Sequence, residues 1–198
     1  MNKELIMNKA DISTLHGQIA NPESRAAKTH QWWANALESG KFFPEIQSGL
    51  SDKYAPTDIP NQKPPEDGKI ASAGLAGAEK LDEYGENRWE KNEIKSGAII
   101  DFTWTYTAVH RTRRWNYFIT KDNWKPNEPL SRAQFEKEPF FMVQNDKQPY
   151  WEHDLMPNNP TIHKVKMPNK KGYHIILGVW EIADTGNAFY QVVDVNFV

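Results

Sequence analysis

Six histidines, His16, His30, His110, His153, His163 and His174, are the side chains in this 198-residue sequence best suited to chemistry. There is no cysteine, which excludes disulfides, thiolate catalysis and cysteine-type zinc sites. Imidazole suits copper, zinc, iron and nickel, so nitrogen-donor metal binding is the chemistry these residues could perform. No two of them are spaced His-x-x-x-His, and a metal site would have to be assembled from distant segments. Taken singly, each histidine reads first as a surface or hydrogen-bonded core residue. Other chemistries have less support. The sequence has no Gly-x-Ser-x-Gly, no Gly-x-Gly-x-x-Gly and no phosphate-binding loop. Nothing singles out a carboxylate pair for glycoside hydrolysis among its 26 acids.

His110 stands out by position. It closes the run "AIIDFTWTYTAVH", in which Ile100, Phe102, Trp104, Tyr106 and Ala108 alternate with Asp101, Thr103, Thr105 and Thr107. That period of two predicts a half-buried strand, which would carry His110 to its end, where the chain turns. "RWNYFIT" then reads as the return strand of a hairpin. His16 opens "HGQIA", a short strand stopped by the turn cluster "NPES". "AAKTHQWWANALES" suggests a short helix with Gly40 past its end, and a long proline-rich segment follows as far as Gly68. Residues Ile175 to Val179 are apolar on both faces, as in a central strand. "NAFYQVVDVNFV" sets Phe189, Val193, Val195 and Phe197 against Tyr190, Asp194 and Asn196. Short, aromatic-rich strands with turn punctuation predict one all-β domain, an immunoglobulin-like antiparallel β-sandwich with a long, partly helical loop region.

A formal net charge of −2 argues against a general binder of nucleic acid or anionic membranes. No apolar stretch is long enough to cross a bilayer. Eight tryptophans suit either a sandwich core or a surface that stacks on sugar rings. Residues 1–15 carry mixed charge and read as a leader or tail outside a domain of residues 16–198. Their apolar run, Leu5 to Met7, is too short for a recognisable signal peptide.

Ordered segments over most of the chain, "HGQIANPESRA", "DGKIASA", "LDEYGENRW", "FTWTYTAVHRTRRWNYFITKDNW", "PLSRAQFE" and "GYHIILGVWEIADTGNAFYQVVDVN", carry a further signal. The sequence resembles the bacterial lytic polysaccharide monooxygenases of auxiliary activity family ten, the chitin-binding protein type. The resemblance diverges between about Thr29 and Pro65.

The resemblance implies a copper enzyme that cleaves glycosidic bonds of crystalline chitin oxidatively. It implies one copper ion in a histidine brace: His16 gives its α-amine and imidazole, and His110 gives a second imidazole. Phe189 matches the aromatic residue beside the copper, and Ala108 the small residue that shapes access to it. Asp184 and Asn187 match positions on the polymer-binding surface, although "ADTGNA" alone reads as a plain turn. The family's loop aromatic and glutamate are not readable here. Tyr54, Trp32, Trp33 and Phe43 are the stacking candidates, and Glu45 or Glu66 the acids. Arg111, Arg113 and Arg114 read as a solvated loop. The implied protein is secreted and monomeric, uses an external electron donor, acts on insoluble polysaccharide, and needs neither nucleic acid nor membrane.

A brace needs a free amine at His16, and "ISTL" before it lacks a small-x-small cleavage pattern. Two other roles follow if the amine stays blocked. One is a non-catalytic chitin-binding adhesion module, and the other is copper storage or delivery by the histidines alone.

Overall fold

Residues 99–106, where alternation is clearest, form one strand of a three-stranded antiparallel sheet. The computed structural model describes residues 16–52, 55, 58–145 and 153–198, so residues 1–15 and Tyr54 lie outside the described residues. In chain order the strands are β1 (Gly17–Asn21), β2 (Glu38–Gly40), β3 (Asn92–Ile94), β4 (Ile99–Tyr106), β5 (Thr112–Ile119), β6 (Phe141–Gln144), β7 (Thr161–Lys166), β8 (Gly172–Ile182) and β9 (Asn187–Phe197). The smaller sheet has the order β1-β4-β7, and the larger runs β2-β9-β8-β5-β6. Parallel β3 completes the free edge of β9 near its C-terminus.

The predicted hairpin of β4 and β5 is absent. The two strands lie in different sheets, and residues 107–111 carry the chain across the sandwich. Strand β4 also ends at Tyr106, so Ala108 and His110 sit in that crossover and not on a strand face. Gly40, expected beyond a helix, belongs to β2. The segment before it forms α1 (Arg25–Thr29) and a 3₁₀ helix, Trp32–Asn35. A Cβ on Gly40 would fall 1.9 Å from the Gln62 carbonyl oxygen, so only glycine lets this strand pass so close.

The two faces of the larger sheet are covered differently. Its inner face packs on the smaller sheet through Ile19, Phe102, Trp104, Trp180, Phe189 and Val193. Its outer face is covered by the long loop region, with Trp33, Leu37, Phe43, Ile70 and Leu81 against Leu177, Val179 and Tyr190. Double coverage explains why β8 and β9 lack the clean alternation of β4. Emptying the site of Trp104, which is 0% exposed, is expected to cost about 3–5 kcal/mol. Denaturant unfolding of Trp104→Ala checks this, and a loss below about 1 kcal/mol would contradict the packing.

Polar links fasten α1 to β9. Ser24 caps α1 by accepting from the Ala27 N–H (3.1 Å) and donates to Gln191 Oε1 (2.7 Å). Buried Arg25 forks onto Asp194 at 2.6 and 2.9 Å. These contacts hold the 3₁₀ helix that follows against the N-terminal strand.

His163 is a buried core histidine. Trp104 Nε1 donates to the Tyr117 hydroxyl (2.9 Å), which leaves that O–H to donate to His163 Nδ1 (2.7 Å). The imidazole must then be neutral, and burial lowers its pKa from 6.5 to about 4. A lowered folded-state pKa means that the unfolded chain binds more protons at mildly acid pH. The associated stability is therefore complete above pH 6.5 and is lost as the pH falls through about 4. Unfolding free energy is expected to drop by about 3 kcal/mol across this window. His163→Gln should flatten that dependence; an unchanged pH profile in the variant would refute the assignment.

Candidate metal centre

At one end of the sandwich, His16 and His110 meet with ring centroids 4.4 Å apart and planes 31° apart. The backbone places both. The His16 main-chain nitrogen lies 2.8 Å from the Asn35 carbonyl oxygen, in the 3₁₀ helix that Ser24 and Arg25 help to position. Its carbonyl accepts from the N–H groups of Thr107 (2.9 Å) and Ala108 (3.4 Å). The first residue before β1 is thus clamped between the 3₁₀ helix and the crossover that carries His110.

The crossover is pinned at its far end. The Ala183 N–H donates to the Arg111 carbonyl (2.7 Å), and Trp180 Nε1 donates to Thr112 Oγ1 (2.7 Å). Thr112 Oγ1 in turn donates to the His110 carbonyl (3.2 Å). Both histidines are half-buried. Phe189 is 0% exposed, its ring 4.7 Å from His16 and 6.2 Å from His110. It pairs with Trp180 on one side and Glu38 on the other. Ala108 is half-buried in the crossover, next to Val109, which is exposed.

Asn187 and Asp184 lie where the turn between β8 and β9 reaches this end. Asp184 is exposed, and Asn187 Nδ2 donates to Glu38 Oε1 (2.8 Å). Glu38 is the acid that sequence reading missed. It sits on a three-residue strand, too short to show a period, and reaches the centre only through β2–β9 pairing. Of the acids considered from sequence, Glu66 is exposed and paired with Lys63 (2.9 Å), and Glu45 is exposed beside Pro44. Trp33 and Phe43 are core residues, at 5% and 4% exposure, whereas Trp32 is 45% exposed. Tyr54 lies outside the described residues.

Two of the arginines after His110, Arg113 and Arg114, are not in a solvated loop. Arg113 is 0% exposed and pairs with both Asp52 and Asp58, while Arg114 pairs with Glu181 at 2.5 Å. Buried Lys41 joins them, 3.4 Å from Asp58. Burial lowers the pKa of Lys41, and Asp58 opposes that shift. Three cations and three carboxylates balance here, and they fasten the irregular segment after β2 to β5 and β8. Lys41 continues the link to the turn before Asn187, its N–H 3.1 Å from the Gly186 carbonyl oxygen.

The donor set at the histidine pair is short. Among the described residues no group of three or more His, Asp or Glu side chains could hold a metal ion. A site built here would therefore need the main-chain nitrogen of His16 as its third donor. Burial, and secondarily the like charge of His110, lower the pKa of His16, while Glu38 acts the other way. The neutral imidazole is the form that binds metal. A small, all-nitrogen donor set fits copper by ligand type.

Residues 16–195 match the family described as "Lytic polysaccharide mono-oxygenase, cellulose-degrading". The chain is 40% identical over 187 residues to the lytic chitin monooxygenase of Enterococcus faecalis, covering 93% of this chain and 87% of that one. It is 38% identical to GlcNAc-binding protein A of Shewanella oneidensis over 95% of its own length. It spans only 37% of that relative. A chitin binding domain from Burkholderia pseudomallei superposes with a TM-score of 0.88 at 43% identity, over 92% of this chain and 99% of that one. A Bacillus amyloliquefaciens protein solved in complex with Cu(I) gives 0.67 at 37% identity, over 92% and 100%. From the match that begins at His16 and the β-sandwich that seats it beside His110, the chain belongs to the lytic polysaccharide mono-oxygenase family, whose members are copper-dependent.

Proposed function

We propose that this chain is a copper monooxygenase that oxidises a C–H bond beside the glycosidic linkage of crystalline chitin, so that the linkage breaks. The observation that carries the reading is the convergence of two imidazoles 4.4 Å apart, the His16 main-chain nitrogen and the buried Phe189 ring. His16 would hold the ion through its main-chain nitrogen and imidazole, and His110 through its imidazole. When bound, copper supplies one-electron redox chemistry that activates oxygen or peroxide, with electrons from an external donor.

The protein's own residues supply position and access. Phe189 closes one side of the pair with an apolar ring that offers no competing ligand. Ala108 keeps the crossover small where a polymer would approach. Asp184 and Asn187 belong to the surface that lies on the polysaccharide, and Asn187 also orients the Glu38 carboxylate toward the centre. Removal of residues 1–15 frees the amine, a reading supported by the family match beginning at residue 16. Chitin as the polymer is supported by the name of the Enterococcus faecalis relative. The protein acts outside the cell as a monomer.

The test is product analysis. A copper-loaded chain beginning at His16, given β-chitin and ascorbate, is expected to release oxidised chito-oligosaccharides detectable by mass spectrometry. Chitin binding without oxidised products would replace this reading with an adhesion module.

A further inference from the structure

The cover on the outer face of the larger sheet is incomplete. Phe43 and Phe135 close over Phe118 of β5, but nearer the crossover the sheet is left open as a groove of about 940 Å³. Arg114 and Asn116 of β5 and Met142 and Gln144 of β6 line its floor, and the segments near Phe42 and Arg132 form its walls. Register pairs Asn116 with Met142 and Arg114 with Gln144, so the carboxamides of Asn116 and Gln144 are diagonal neighbours across two strands. The lining holds as many cationic as anionic side chains, four of each, which favours a neutral ligand over an ion.

Asn116 carries an independent sign of a ligand. It is 4% exposed, and its Nδ2 donates to Glu181 Oε1 on β8 (3.3 Å). Its Oδ1 is buried and accepts no hydrogen bond among the described residues, an uncommon condition for a buried side-chain acceptor. With the nitrogen held by Glu181, the side chain presents this oxygen to the groove it lines. Gln144 is half-buried, and its carboxamide has no partner among the described residues. Met142, 47% exposed, adds an apolar surface beside both. An unmet acceptor, a carboxamide donor and a thioether surface complement the N–H, carbonyl and methyl of one acetamido group.

We propose that this groove is a second saccharide subsite, which takes the acetamido group of a soluble chito-oligosaccharide. The N–H donates to Asn116 Oδ1, the carbonyl accepts from Gln144 Nε2, and the methyl packs on Met142. A groove admits a single chain and not a crystal surface, so its ligand is chain already released from the polymer. The choice of sugar rests on the chitin reading above, but binding here uses neither His16 nor His110 and needs no metal.

The experiment is nitrogen–proton and methionine-methyl NMR of the full chain, in the presence of chelator, titrated with triacetylchitotriose. Shifts are expected at the Asn116 and Gln144 side-chain amides and at the Met142 methyl. Cellotriose, which lacks the acetamido group, should leave them in place. Gln144→Ala removes a side chain with no protein partner to lose, so it should weaken binding about three- to tenfold at an unchanged melting temperature. Silence at the three residues, equal shifts with cellotriose, or unchanged affinity in Gln144→Ala would each overturn the proposal. So would tighter binding of an acetylated alanine tripeptide, which would make the groove a peptide site. Because copper is absent, a silent groove leaves the product analysis above untouched. Groove shifts without oxidised products from the copper-loaded chain would support this site and count against the oxidative reading alone.

Discussion

A His110→Ala chain is expected to lose tight copper binding and all oxidised product while remaining folded. The imidazole is one of the two that meet here, and among the described residues no group of three or more His, Asp or Glu side chains is placed to hold a metal in its stead. Even loss of a group that merely orients a ligand costs about 10–100-fold in metal affinity, so loss of the ligand itself should exceed about 100-fold. The fold should tolerate the change. His110 is half-buried in a crossover held by the main chains of Arg111 and Thr112, which points to about 1 kcal/mol or less. Copper titration and denaturant unfolding of the same preparation separate the two effects. Retained affinity would remove His110 from the site, and a large loss of stability would make it a structural residue instead.

The second large effect concerns Arg113. Breaking a buried ion pair from one side typically costs about 3–5 kcal/mol, because the partner charge remains buried. Here Arg113→Met leaves both Asp52 and Asp58 short of their shared cation, at 6% exposure each. The expected loss lies in that range. Asp58→Asn in the same background should recover part of it. A loss below about 1 kcal/mol would show that the network contributes little. Because Lys41 carries the same network to the Gly186 carbonyl, the variant should also loosen the turn that presents Asp184 and Asn187.

Much of this architecture is legible in the residues themselves. Strand β4 shows its period of two because Phe102, Trp104 and Tyr106 face the core while Asp101, Thr103 and Thr105 do not. The apolar run of β8 marks a strand covered on both faces, and the sandwich follows from these patterns. The crossover between β4 and β5 was misleading for a physical reason. A five-residue hairpin loop and a five-residue link between sheets have the same local composition, and only tertiary packing separates them.

Non-local contacts account for the other departures. Arg113 reads as a surface charge until Asp52 and Asp58, more than fifty residues earlier, are brought against it. Glu38 has no local pattern and reaches the histidine pair through its register with Phe189. His16, His110 and Phe189 were accessible through the family resemblance, and the fold places them within ring contact. Ala108 kept its neighbourhood but lost its strand. Trp33 and Phe43 proved to be core, since an aromatic residue in a long loop gives no sign of which side of the loop it faces.

The central claim is that a free His16 main-chain nitrogen completes the copper site, and a paired copper(II) titration tests it most directly. One chain begins at Met1 and the other at His16. The account predicts one tightly held ion for the chain beginning at His16, and binding at least about 100-fold weaker when residues 1–15 keep that nitrogen in an amide. Equal affinity in the two chains would contradict it, and would place copper, if it binds, on side chains alone.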